Sequence, residues 1–181
     1  MQMEHIKQRM KEITDWLQKE FSMIRTGQAS PSILDNVKVE SYGTKLPLVQ
    51  VASVGIEDAR TLRISPWDSG NIKPIEKGIT DADIGVSVVI DDTGLRAVFP
   101  ELTGERREQL AKLAKSKLED ARVSVRSERD DAIKQIETAQ KNGEMSEDDK
   151  FGQKDAIQKL VDKTNAELEE LYKTKEREIL G

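Results

Sequence analysis

Apolar residues recur along this chain in two different rhythms. Ile6, Met10, Ile13, Leu17, Phe21 and Ile24 are spaced 4, 3, 4, 4 and 3, which places them on one face of a helix. That helix is expected over residues 1–26, with Gly27 as its C-terminal cap and Pro31 just beyond. Between residues 31 and 104 the rhythm changes. "VKVESY" alternates, "ARTLRI" and "VSVVI" are rich in strand formers, and Gly43, Gly55, Gly85 and Gly94 punctuate them. One short helix is expected among these strands, because Ile72, Ile75 and Ile79 in "NIKPIEKGI" return to helical spacing.

From Thr103 onward the helical pattern lasts to the end, interrupted only at "KNGEMSEDD". Asn142 and Gly143 stop one helix there, and Ser146, with Asp149 three residues later, caps the next. Glu147 and Asp148 add acid that suits a helix N-terminus. The two helices, about 105–141 and 147–179, would extend roughly 55 Å and 50 Å at about 1.5 Å per residue. Their apolar stripes are Ala114, Leu118, Ala121, Val125, Ala132 and Ile136 on one, and Ile157, Leu160, Val161, Thr164, Leu168 and Leu171 on the other. Each stripe is narrow and needs partners, so with the N-terminal helix they form a three-helix bundle. The fold class is therefore α+β: a long, discontinuous bundle domain (residues 1–30 and 105–181) with an inserted β-rich domain (31–104). Two linker strands, "GQASPS" and "PELTGE", join the insertion to its host, and they form a paired hinge if few side chains pack across the boundary. Trp16 and Trp67 are expected to be packing residues.

Composition narrows the function. The 181 residues carry a net charge of −5 and contain no cysteine, which excludes disulfides, thiolate metal sites and cysteine nucleophiles. "MQMEHIKQRM" is too charged for a signal peptide core, and no apolar run nears the length of a membrane span, so a cytoplasmic protein is expected. His5 is the only histidine and reads as a surface residue near the N-terminus. The acids of "TDADIG" and "IDDTG" lack the spacing of a calcium loop, and Asp91, Asp92 and Gly94 read as a turn. No phosphate-cradling glycine loop and no nucleophile elbow is present. Neither catalytic residues, a metal site nor a cofactor is expected.

One stretch opposes the global charge. Residues 106–126 hold seven cations against three carboxylates, a local charge of +4. Positions 112, 115, 119, 122, 126 and 129 advance by 3, 4, 3, 4 and 3 and are basic except for Glu119. This stripe lies about 100° around the helix from the apolar one, flanking it and accessible. It can be a solvated face in which Arg122 and Arg126 pair with Glu119 and Asp130. It can instead grip phosphates of a nucleic acid, since the planar guanidinium matches a phosphate at two points. Without interleaved aromatics, folded or duplex RNA is the better nucleic-acid target. A coiled-coil adaptor, its arginines meeting a partner's carboxylates, is the rival of another class.

The order of a helix, "IRTGQASPSILD", a β-rich insertion, "PELTGERREQLAKLAK", "ARVSVRSERDDA" and "EMSEDD" resembles that of the ribosome recycling factors, over essentially the whole chain. The resemblance implies a non-enzymatic, L-shaped factor with a three-helix bundle and a smaller β/α/β domain on a flexible hinge. It implies binding of the bundle to large-subunit rRNA in the post-termination complex, with subunit separation driven by elongation factor G and GTP, and a monomer is expected. The arginines of "RTG", "ERR" and "VRSER" fall on Arg25, Arg106, Arg107, Arg126 and Arg129 as rRNA contacts, to which the stripe adds Lys115 and Arg122. Hinge positions are Gly27, Ser30, Pro31, Leu102, Thr103 and Gly104. The family often has arginine where this chain has Gln28 and Asp130, and commonly an acid at Gly104. The first two departures remove positive charge near the RNA face, and glycine widens backbone freedom at the second linker.

Overall fold

The structure, a computed structural model, describes residues 2–181. The chain forms two compact units, Met1–Arg25 with Gly104–Gly181, and Thr26–Thr103.

The first unit contains three helices: α1 (Gln2–Ser22), α3 (Gly104–Lys141) and α4 (Glu147–Leu180). All six apolar positions of the N-terminal stripe are buried, from Ile6 to Ile24. They meet Leu110, Ala114, Leu118, Ala121, Val125, Ala132 and Ile136 of α3, and Ile157, Val161, Thr164, Leu168 and Ile179 of α4. The alanines of α3 let the helices approach, and the leucines and isoleucines fill the seam. Leu160 and Leu171 lie half-buried at its edge. α1 stops at Ser22, four residues before the expected end. The backbone tightens there: the Met23 amide donates to Glu20 and the Ile24 amide to Phe21, while Ser22 Oγ donates to the Lys19 carbonyl at 2.6 Å. Gly27, at φ +77°, therefore does not cap α1; it belongs to the second unit, where it packs against the Pro100 carbonyl and Leu102 of that same unit.

α3 ends in a Schellman motif. Gly143 adopts φ +75°, its amide donates to Gln140, and the Glu144 amide reaches back to Ala139. Ser146 then opens α4 by accepting from the Asp149 amide at 3.1 Å and donating to the Asp149 carboxylate at 2.7 Å. No described helix is long and apolar enough to cross a membrane.

The second unit holds β1 (Lys38–Ser41), β2 (Thr44–Pro47), β3 (Ala52–Asp58), β4 (Thr61–Pro66), α2 (Ile72–Ala82), β5 (Ser87–Asp91) and β6 (Gly94–Val98). β1 and β2 form a hairpin, and the other strands form a sheet in the order β3-β4-β6-β5 with every neighbour antiparallel. β4 and β5 are consequently parallel, joined by α2 as a crossover and separated by β6, a split β-α-β arrangement. Alternation sends Leu62, Ile64, Leu95 and Ala97 inward, where they meet Ile75 and Ile79 of α2. Gly78 lets α2 lie on β1, since a Cβ there would stand 2.5 Å from the Lys38 carbonyl oxygen. Gly55, expected between strands, lies inside β3. Trp67, expected to pack, is 68% exposed, and Trp16 in the first unit is 38% exposed. Trp67 follows directly on β4, where its amide bonds to Val51 and its ring is left outside the core.

On the outer face of the sheet an ion-pair cluster ties all four strands. Arg63 of β4 donates to both carboxylate oxygens of Asp91 on β5, at 2.7 and 2.6 Å, and to Glu57 of β3 at 3.1 Å. Arg96 of β6 meets the same Glu57 at 2.9 Å. The Arg63 guanidinium and the Thr93 amide of the turn hold the Asp91 carboxyl down at about 2, from 3.8. A depressed carboxyl contributes stability above its unfolded value and loses it as pH falls toward the folded one. Asp91→Asn should therefore lower the thermal midpoint of this unit by about 2–4 °C at pH 6, and the gap to the parent chain should close between pH 4 and pH 2. A gap independent of pH in calorimetry would mean that the charge of Asp91 does not hold the strands.

Candidate nucleic-acid interface

The residues expected to contact RNA all lie in the first unit, but the helix separates them into different surroundings. At 3.6 residues per turn, Arg106 and Lys115 project about 180° apart around α3, whereas Arg106 and Lys117 project within about 20° of each other. Two basic flanks result.

One flank adjoins α1. Arg25 and Arg106 line a groove of about 300 Å³ together with Met23, Leu113 and Lys117. Lys117 pairs with Glu20 at 3.2 Å and lies 5.9 Å over the Trp16 ring, and Arg106 donates to Gln109 at 3.2 Å. Lys117 counts among the seven cations of residues 106–126, but the groove and its partners Glu20 and Trp16 were not legible in the sequence, because they lie on another helix. The only advance signal was the falling of Arg106 and Lys117 on one face.

The other flank adjoins α4 and carries Lys115, Arg122, Arg126 and Arg129. Lys115 and Arg126 are exposed, and their side chains enter none of the hydrogen bonds or ion pairs found among the described residues. Arg122 is held from two sides, by Glu119 at 2.9 Å and by Glu169 of α4 at 2.5 Å. Arg129 directs Nε and Nη2 to one oxygen of Asp130, at 3.0 and 2.8 Å. The expected pairing of Arg126 with Asp130 is thus replaced by one between Arg129 and Asp130. The flank presents two unengaged cations and two that are already engaged.

Arg107 has a different environment. It sits at the start of α3 on the core side, half-buried, and its Nη1 donates to the Leu180 carbonyl at 2.7 Å. Its Nε is buried without a hydrogen-bond partner. A cation on the last carbonyls of α4 satisfies an orphan acceptor and complements the negative end of the helix dipole. This position ties the end of α4 to the beginning of α3.

The hinge positions lie at the ends of the second unit, except Gly104, which belongs to the first. Ser30 bonds its hydroxyl to that of Ser32 at 2.8 Å, Pro31 opens a 3₁₀ turn, and the neighbouring Ala29 amide donates to Ala59 at 2.8 Å. Leu102 rests on Gly27, Thr103 closes the unit, and Gly104 is the first residue of α3. Among the described residues no group of three His, Cys, Asp or Glu side chains is placed to hold a metal ion.

A family model described as ribosome recycling factor matches residues 17–180. The chain belongs to the ribosome recycling factor family. Its sequence is 43% identical over 176 residues to the ribosome-recycling factor of Zymomonas mobilis, covering 97% of this chain and 95% of the relative. It is 44% identical to that of Desulforamulus reducens over 171 residues, 94% and 92% of the two chains. A solution structure of ribosome recycling factor superposes with a TM-score of 0.69 at 32% identity, covering 98% of this chain and 94% of the other. The T. thermophilus ribosome recycling factor, in models with E. coli elongation factor G bound to the E. coli post-termination complex, superposes with a TM-score of 0.62 at 34% identity, over 99% and 97% of the chains.

The two kinds of arginine predict separable effects. Arg107→Ala should lower the unfolding free energy by about 1–2 kcal/mol through the lost charged hydrogen bond to Leu180. Arg126→Ala should change it by less than about 0.5 kcal/mol. Denaturant melts of the two variants check this, and equal losses would contradict the division.

Proposed function

We propose that the chain binds large-subunit rRNA in the post-termination ribosome through α3 and that, with elongation factor G and GTP, it promotes dissociation of the subunits. The observation that carries this reading is the pair Lys115 and Arg126, exposed cations without intramolecular partners on the rim of a closed helical core. A cation already paired has little left for phosphate; an unpaired one on a rigid helix gains from every phosphate it meets, by releasing condensed counterions. Arg122 and Arg129 lie on the same flank and join once their carboxylates yield. Arg25 and Arg106, on the flank beside α1, meet RNA from another side, so the bundle is gripped around α3 rather than along one line.

The similarity to a recycling factor placed with elongation factor G on a post-termination complex supports the choice of partners. On this reading the protein is a monomeric cytoplasmic factor without cofactor or catalytic residues, and GTP hydrolysis belongs to elongation factor G. The β-containing unit moves on the chain segments around Gly27, Ser30, Pro31, Leu102, Thr103 and Gly104, and the bundle transmits the push because its helices do not bend readily.

The salt dependence of binding to large ribosomal subunits tests the RNA contact. Arg126→Ala and Lys115→Ala should each weaken binding and reduce the magnitude of the slope of log K against log salt by about 1. Unchanged binding would return the flank to a merely solvated face. A protein partner that is retained from lysate regardless of ribonuclease treatment, with no ribosome association, would favour the coiled-coil adaptor instead.

A further inference from the structure

We propose that Asp130 sets the RNA affinity of the α4-side flank, by holding Arg129 away from phosphate until docking displaces it. This rests on the proposed binding of rRNA by that flank and names the residue that tunes it.

The pair is not the one helical geometry favours. Side chains at i and i+1 project about 100° apart, and the cations at i,i+4 spacing from Asp130 are Arg126 and Lys134. The Arg129 guanidinium nevertheless turns toward Asp130, with Nε and Nη2 both on Oδ1. Those two N–H groups form the edge with which arginine takes two oxygens of a phosphate. That edge is occupied, so Arg129 cannot present it to RNA without leaving Asp130.

The Asp130 side chain is 60% exposed and that of Arg129 is 31% exposed. The carboxylate is the more exposed partner, and it repels an approaching phosphate. An ion pair this exposed is weak, so the carboxylate competes with phosphate without locking the arginine. Arg122 is restrained differently, because Glu169 belongs to α4 and its ion pair also joins two helices of the bundle. Asp130 has no second helix to hold. Its removal frees a cation while leaving the packing alone.

The test uses the full chain and large ribosomal subunits at about 0.1 M salt, with thermal midpoints measured alongside. Asp130→Asn should tighten binding roughly three- to tenfold and steepen the salt slope by about 1, with the midpoint unchanged. Arg129→Ala should weaken binding more in the Asp130→Asn chain than in the parent chain, removing the gain there, a coupling that a double-mutant cycle measures. If Asp130→Asn leaves affinity and slope unchanged while Arg126→Ala weakens binding, the flank binds RNA and Asp130 has no tuning role. If the gain survives Arg129→Ala, the carboxylate acts by repulsion alone and the holding of Arg129 is wrong. Indifference of binding to both Asp130→Asn and Arg126→Ala would overturn the RNA reading of the flank itself.

Discussion

Three apolar stripes, each too narrow to stabilise its own helix, must close on one another for the bundle to exist. An isolated helix as charged as α3 or α4 gains little from hydrogen bonds it also makes with water, so its stability comes from burying one face. Leu17, Leu118, Ile136, Ile157 and Leu168 are essentially removed from solvent at that closure. α1 and α3 are separated in sequence by the entire second unit. The bundle therefore cannot form locally, and any change that opens the seam affects both ends of the chain.

The same closure creates the two basic flanks. With the core face of α3 fixed against α1 and α4, the next positions around the helix become rims, and their charges are displayed at set heights. Where an acid from a neighbouring helix reaches across, as Glu20 does to Lys117 and Glu169 to Arg122, the cation is held within the protein. Where none reaches, as at Lys115 and Arg126, it remains available. Arg107 shows the opposite use of a cation, turned inward onto the carbonyl of Leu180.

Features governed by periodicity and local capping were legible in the sequence. The expected stripe positions from Ile6 to Ile24 are buried, Ser146 caps α4, and Ile75 and Ile79 face the core from α2. Asp91 and Gly94 form the expected turn, in which Asp91 accepts from the Thr93 amide. Features that depend on distant partners were not legible. Nothing near Arg122 in sequence announces Glu169, forty-seven residues away, and nothing near Arg107 announces the end of α4. Glycine and proline misled at the end of α1, because tighter three-residue hydrogen bonds close the helix before Gly27 is reached. Aromatic character misled at Trp67, whose position just past β4 leaves it outside the core.

On the proposed function the protein is a mechanical component: a docked bundle, a second unit that moves under load, and a partner GTPase that supplies the work. Sedimentation of post-termination ribosomes with this protein, elongation factor G and GTP, added singly and together, tests that claim most directly. Subunits should separate only when all three are present. Equal separation without this protein, or GTP hydrolysis by this protein alone, would contradict it.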